Sequence, residues 1–195
     1  MTDRSWTHVG RVWSSGDPYL VIDATLRGGW HGTAGDRVEA RVHPTSVPVG
    51  PGRAAVVAGA EASDVPSDET GGWVEVFTAG PDTVAFVRVT GGDYGELLRS
   101  ALSYPAAQDE SGDVIEVSSG NLAVFNAALD GAGEHGAELA SARPGPAPVS
   151  RPPFDAASLP GLLLSLAVGG YRLYARRRTD LDSGCFSRWM LSPAA

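Results

Sequence analysis

The sequence predicts a mainly β fold, with duplicated β-hairpin units forming a β-sandwich-like architecture and one short helix between the halves. Three observations carry this expectation. An internal repeat links the two ends of the chain, alternating apolar strands recur between Gly-, Pro- and Asx-rich turns, and one segment combines helical periodicity with an N-terminal cap.

The repeat matches Val12-Trp13-Ser14-Ser15-Gly16-Asp17-Pro18-Tyr19-Leu20-Val21-Ile22-Asp23-Ala24-Thr25-Leu26-Arg27-Gly28 with the stretch from Glu116 to Gly131. With one gap, Ser-Ser-Gly aligns with Ser118-Ser119-Gly120, Val21 with Val124, Asp23 with Asn126, Ala24 with Ala127, Leu26 with Leu129 and Gly28 with Gly131. Each copy reads as a strand, a turn at Ser-Gly-Asx, a second strand and a Gly-rich exit, because Asn, Asp and Gly tolerate the backbone angles of a tight turn. A second pair follows in the same order. Val47 to Val57 and Leu164 to Tyr174 both read as β-hairpins. In the latter, Leu162, Leu164, Leu166 and Val168 alternate onto one face, and Gly169-Gly170 supplies a two-residue turn.

Trp73 to Phe77 and Thr83 to Val89 add two further alternating strands. Between the halves, Asp93 to Leu102 reads as the helix. Asp93 caps it, Glu96 stands three residues on as in a capping box, and Leu97, Leu98, Ala101 and Leu102 share a face. Glu61–Gly72 and Ala132–Pro160, the latter with six prolines, read as loops, with a short helix near Glu134–Ala142. The division is therefore a first β repeat at 1–92, a connecting helix and loop at 93–113, and a second β repeat at 114–195 with a Pro-rich insertion at 132–160.

Composition narrows the function classes. All fifteen basic residues are arginine, against 23 acidic residues, giving a net charge of −8. Without lysine there is neither a Walker A nucleotide site nor a Schiff-base nucleophile. The acidic balance disfavours direct binding to nucleic acid. The first residues lack the pattern of a signal peptide, and the longest apolar run, Leu159 to Val168, is too short and too interrupted to span a bilayer. A cytoplasmic protein without membrane association is expected. Cys185, alone in the chain, has no partner for an internal disulfide.

No residue stands out as catalytic, so the chain is expected not to be an enzyme and to need no cofactor. The four histidines lack metal-ligand spacing, and His31 and His135, each followed by glycine at equivalent points of the repeat, read as turn residues. No G-x-S-x-G elbow exists. A hydrolase would need Asp17, Asp23 and Asp36, or His31, to converge. Trp30, set among glycines, is the tryptophan expected at the surface. Together with His31 it defines an alternative reading, a small-molecule or carbohydrate-binding β module. Arg176-Arg177-Arg178, followed by Asp180 and Asp182, reads as a solvated strand end.

Charge is unevenly spread. Residues 61–116 hold twelve acidic residues and two arginines, a net of −10. Such a segment can steer a basic partner. The order Val12 to Ile22, then Trp30-His31-Gly32, then Val47-Pro48-Val49-Gly50, with Gly170-Tyr171-Arg172 near the end, resembles the immunity protein 21 family of bacterial polymorphic toxin systems. A related β pattern occurs in the competence nuclease inhibitors. The resemblance implies a non-enzymatic immunity or inhibitor-like protein that binds and blocks a cognate protein toxin, with a nuclease as the expected type. Asp64, Asp68, Glu69, Asp109, Glu110 and Asp113 are the expected contacts on the acidic segment. A homodimer is the other association left open.

Overall fold

The first pair of segments that repeat in the sequence occupies equivalent places in two sheets. The computed structural model describes residues 5–14, 17–32, 44–58, 72–151, 153, 161–181 and 184–194. In chain order the strands are β1 (Thr7–Ser14), β2 (Tyr19–Asp23), β3 (Thr45–Val49), β4 (Gly52–Val57), β5 (Gly72–Thr78) and β6 (Val84–Thr90). The helix α1 (Tyr94–Ser103) follows, then β7 (Glu110–Val117), β8 (Asn121–Asn126), β9 (Leu139–Ser141), β10 (Gly161–Ser165), β11 (Gly169–Leu181) and β12 (Gly184–Pro193). The fold is mainly β. One sheet has the order β1-β5-β6-β12-β11-β7 and the other β3-β4-β2-β8-β10-β9.

Replacing each strand of the first half by its counterpart in the second, β1 by β7 through β6 by β12, turns each order into its own reverse. That is the signature of a pseudo-twofold axis between the two central strands of each sheet. The axis runs through Val21 and Val124, repeat counterparts that pair with each other. In the other sheet the central pair, β6 and β12, brings Phe86 opposite Trp189. The edge strands break the symmetry. β3 joins β4 through a short turn and pairs antiparallel, whereas β9 pairs parallel with β10. The cause is the connection: a tight turn reverses the chain, but the long Pro-rich segment lets it return in the same direction.

The hairpins expected around the two Ser-Ser-Gly segments are not formed: β1 and β2, like β7 and β8, lie in different sheets. Gly120 adopts φ 72°, the left-handed turn geometry that a side chain resists. Tyr19 staples the first crossing by donating its hydroxyl to the Trp13 carbonyl at 2.7 Å, and burial, aided by the Asp17 charge, pushes its phenol up to about 12. The expected hairpin at Leu164–Tyr174 is likewise a crossing, with β10 in one sheet and β11 in the other. Its correspondence with β3 and β4 therefore fails, since the counterpart of β4 is β10. Leu162, Leu164 and Leu166 are buried as expected, but Val168 is exposed. Glu134 lies in a turn and Leu139–Ser141 forms β9, so the short helix near Glu134–Ala142 is absent. Of the Glu61–Gly72 loop, Gly72 opens β5 and the remainder lies outside the described residues.

The main core lies between the sheets, where Val12, Val21, Val74, Phe86, Val124 and Trp189 meet. The outer face of the first sheet is covered by α1, whose Leu97, Leu98 and Ala101 pack on Phe77, Ala85, Val87 and Phe186. Asp93 caps the helix, its side chain accepting from the Glu96 amide at 2.8 Å. Burial of the two leucines contributes about 3–6 kcal/mol together, against about 1 kcal/mol for the cap. Packing thus decides where the helix lies and the cap decides where it starts. The outer face of the second sheet, with Leu20, Ile22, Val56 and Phe125, is closed by Leu26, Trp30 and Leu139. No helix among the described residues is long and apolar enough to cross a membrane.

The two Gly-rich exits meet over this second face. The Gly131 amide donates to the Trp30 carbonyl at 2.9 Å, and a Cβ on Gly131 would fall 1.8 Å from the Arg27 carbonyl oxygen. At its counterpart Gly28 a Cβ would meet only the Ala132 methyl, at 3.8 Å. Gly131→Ala should therefore cost about 2–3 kcal/mol in urea unfolding, while Gly28→Ala should change stability by less than about 0.5 kcal/mol. Equal costs at the two positions would refute this packing.

Candidate functional site

Among the described residues, buried or half-buried polar clusters and a surface recess gather the chemistry-bearing side chains. The first lies on the outer face of the first sheet. Glu75 is fully buried, and its carboxylate pairs with His8 Nε2 at 2.7 Å, accepts from the Tyr94 hydroxyl at 2.8 Å and faces Arg11 Nε at 3.5 Å. Burial and the adjacent Glu75 charge push the Tyr94 phenol upward. His8 also stacks edge-on against Phe77. With Glu75 at 0% and His8 and Tyr94 each at 7% exposure, no substrate reaches these groups. The cluster ties β1 and the first turn of α1 to β5.

The second cluster anchors the other end of the helix. Arg188, 1% exposed, donates Nη1 to the Ala101 and Tyr104 carbonyls at 2.6 and 2.9 Å. Its Nη2 reaches both oxygens of Asp109 at 2.8 and 2.6 Å, and Arg176 Nε binds the same carboxylate at 3.0 Å. Arg176 and Arg178 stand over the Tyr104 ring, with Arg178 also donating to its hydroxyl. The arginine run is therefore not a solvated strand end. It lies within β11, and strand alternation sends Arg176 and Arg178 to the outer face and Arg177 inward. The Asp109 side chain is 0% exposed, so it is not available as a surface contact. Sequence gave no warning, because its partner lies far along the chain.

The third cluster is the Asp23 carboxylate. Its Oδ2 accepts from the Ser118 and Ser119 amides at 2.6 and 2.7 Å, and its Oδ1 accepts from the Thr25 amide and hydroxyl at 2.9 and 2.5 Å. Burial alone would raise its pKa, but these hydrogen bonds outweigh burial and hold the carboxyl far below the usual range. One copy of the repeat thus closes the turn of the other. Asp17 precedes β2 and Asp23 ends it, roughly 20 Å apart along an extended strand. The carboxylate cluster of a hydrolase is therefore not assembled from these two, and Asp36 lies outside the described residues.

Glu110 and Asp113 lie on β7 and are exposed, as is Glu116. Asp113, 56% exposed, accepts from Ser46 Oγ at 2.6 Å and pairs with Arg53 Nη2 at 2.9 Å, linking β7 to the β3–β4 hairpin. The Ser46 hydrogen bond, opposed by burial and reinforced by Arg53, lowers its pKa. Asp64, Asp68 and Glu69 lie outside the described residues.

Trp30 and His31 line a recess of about 350 Å³ with Gly29, Gly32 and the Val47–Gly50 turn. Trp30 is half-buried. Its Nε1 donates to the Ala127 carbonyl at 2.9 Å and its ring packs on the outer core. His31 is exposed and its backbone bridges to Asp130, which also bridges to Gly136, so the equivalent histidine turns converge on one residue. Among the described residues no group of three or more His, Cys, Asp or Glu side chains is placed to hold a metal ion.

Comparisons with protein-family models, curated proteins and solved structures find no match. The resemblance to the immunity protein 21 family rests on the residues quoted for it.

Removing one member of the buried ion pair leaves the other uncompensated. Asp109→Ala should destabilise the fold by about 3–5 kcal/mol, and adding Arg188→Met should recover part of that loss in chemical denaturation. Asp23 generates a pH prediction. Its lowered folded pKa contributes stability above the ordinary carboxylate value of 3.8, and that contribution is lost as pH falls through and below this value. Asp23→Asn should be less stable than the wild type at pH 7 and should lose less stability between pH ~5 and ~2 in paired denaturation curves.

Proposed function

We propose that the protein is a non-enzymatic, immunity-type inhibitor that binds and blocks a cognate protein toxin through its acidic surface. The observation that carries this reading is the row of exposed carboxylates on β7, an edge strand of the first sheet. Glu110, Asp113 and Glu116 are spread over roughly 20 Å of this edge strand. On a basic, phosphate-binding cleft such carboxylates stand in for phosphates, and occupation of the cleft blocks it sterically. The resemblance to the immunity protein 21 family supports the same reading, as does the −10 balance of residues 61–116. Asp23, Glu75 and Asp109, by contrast, have their oxygens engaged internally.

Co-expression with toxins encoded beside this gene, followed by pull-down, tests the reading. The expected result is protection from one toxin and a stable complex with it. Glu110→Lys combined with Glu116→Lys should slow association at low salt about tenfold or more, with a smaller change in dissociation, and the difference should shrink as salt rises. Asp113 is left intact because it ties two elements together. Unimpaired toxicity with no complex formed, or association indifferent to the double charge reversal, would count decisively against the acidic-surface mechanism.

A further inference from the structure

Edge strands present backbone groups that no neighbouring strand satisfies, and this molecule closes its edges unequally. In the first sheet the edges are β1 and β7, counterparts in the repeat. The chain itself covers β1: the Arg143 amide donates to the Val9 carbonyl and the Gly145 amide to the His8 carbonyl, each at 2.9 Å. A short basic stretch of the Pro-rich segment thus lies along that edge. In the second sheet β9 spans three residues, and β3 spans five that include Pro48, which has no N–H to offer. By contrast, β7 spans eight residues without a proline.

The register shows which backbone groups of β7 face away from the sheet. The Ala194 amide donates to the Gly170 carbonyl at 2.8 Å, so Gly170 on β11 turns its backbone towards the β12 side. Pro193, without an N–H, stands opposite Tyr171, in keeping with a Tyr171 backbone that faces β7 instead. Gly170 is the register partner of Glu116, and Arg172 that of Val114. In an antiparallel ladder these are the non-hydrogen-bonded positions, so the N–H and C=O groups of Val114 and Glu116 point outward. Among the described residues no strand pairs with that side of β7. Glu116 is exposed and Val114 half-buried, so another chain can reach the edge.

We propose that β7 holds its partner by strand addition, accepting an extended segment with basic side chains as a seventh strand of the first sheet. This rests on the reading of β7 as the partner-binding edge, and adds how the partner is held. Backbone hydrogen bonds at Val114 and Glu116 supply the pairing, and the carboxylates along the strand favour arginine or lysine opposite them. The counterpart edge shows the same solution within the chain, where the segment lying on β1 carries Arg143. A second copy would instead lay its own acidic β7 alongside, and like charges facing each other across strands are unfavourable.

The probe is a peptide of about nine residues alternating arginine and threonine, set against the same sequence N-methylated throughout, which keeps the charge and removes every backbone donor. The unmodified peptide should bind and slow hydrogen exchange at the Val114 and Glu116 amides, and methylation should weaken binding about tenfold or more. Glu116→Pro removes one outward N–H without breaking the ladder to β11 and should cost as much, whereas Glu116→Gln keeps the backbone and should cost about threefold. The peptide pair needs only the wild-type protein, so a proline variant that fails to fold leaves the test intact. No binding of the unmodified peptide, equal binding of the two peptides, unprotected Val114 and Glu116 amides, equal losses in the two variants, or dimerisation of the protein alone through β7 would each overturn strand addition. Such a failure alongside a stable toxin complex would remove strand addition and leave the inhibitor reading. Peptide binding without protection from any toxin would do the reverse.

Discussion

The pairing of β2 with β8, matched by that of β6 with β12, is the constraint on which the rest of the molecule depends. Both central pairs join one half of the chain to the other. Neither half therefore contains the centre of a sheet, and separation would expose the edge of a central strand in both sheets at once. Residues 1–92 and 114–195 are repeats in sequence but not units that fold alone. Contacts near the axis reinforce this dependence. Asp23 of one copy closes the Ser118-Ser119 turn of the other, and the Gly-rich exits cross where only a glycine fits against the Arg27 carbonyl.

Two buried charges fix α1 from opposite ends. Glu75 holds the first turn through the Tyr94 hydroxyl, and Arg188 receives the terminal carbonyls of Ala101 and Tyr104. A cation at a helix C-terminus satisfies acceptors that the helix cannot satisfy itself and complements its dipole. Asp109 then offsets the Arg188 charge, which in that setting would otherwise be prohibitive. These carboxylates are therefore a requirement of covering the sheet with one helix.

What sequence could reveal follows the range of each interaction. The β class, the Asp93 cap and the repeat were legible because period-two alternation and capping are local. The destination of each Ser-Gly-Asx turn was not, since the same turn can close a hairpin or bridge two sheets, and distant strands such as β5 and β10 decide which. β9 was hidden among prolines and glycines because a three-residue edge strand has no periodicity of its own. Asp109 and Asp113 looked alike in an acidic stretch, and only Arg188 and Arg53, remote in sequence, separate a sealed carboxylate from an exposed one. A usable signal did exist in Glu75 and Arg188. Each is a single charge inside an otherwise apolar strand, and a charge buried on both sides implies a partner.

Strand alternation also sorts the charge. In β11 it divides three consecutive arginines, placing Arg176 and Arg178 around Tyr104 and Asp109 on one face and Arg177 on the other. Of the outer pair, Arg176 shares the Asp109 carboxylate with Arg188 and Arg178 lies against the Tyr104 ring. On the inner face Arg177 shares a row with Arg88 across Ser187. Moving a guanidinium towards a low-dielectric interior costs solvation that only hydrogen bonds or a counter-charge offset, so one run of three arginines meets two different electrostatic demands, set by the parity of each position along the strand.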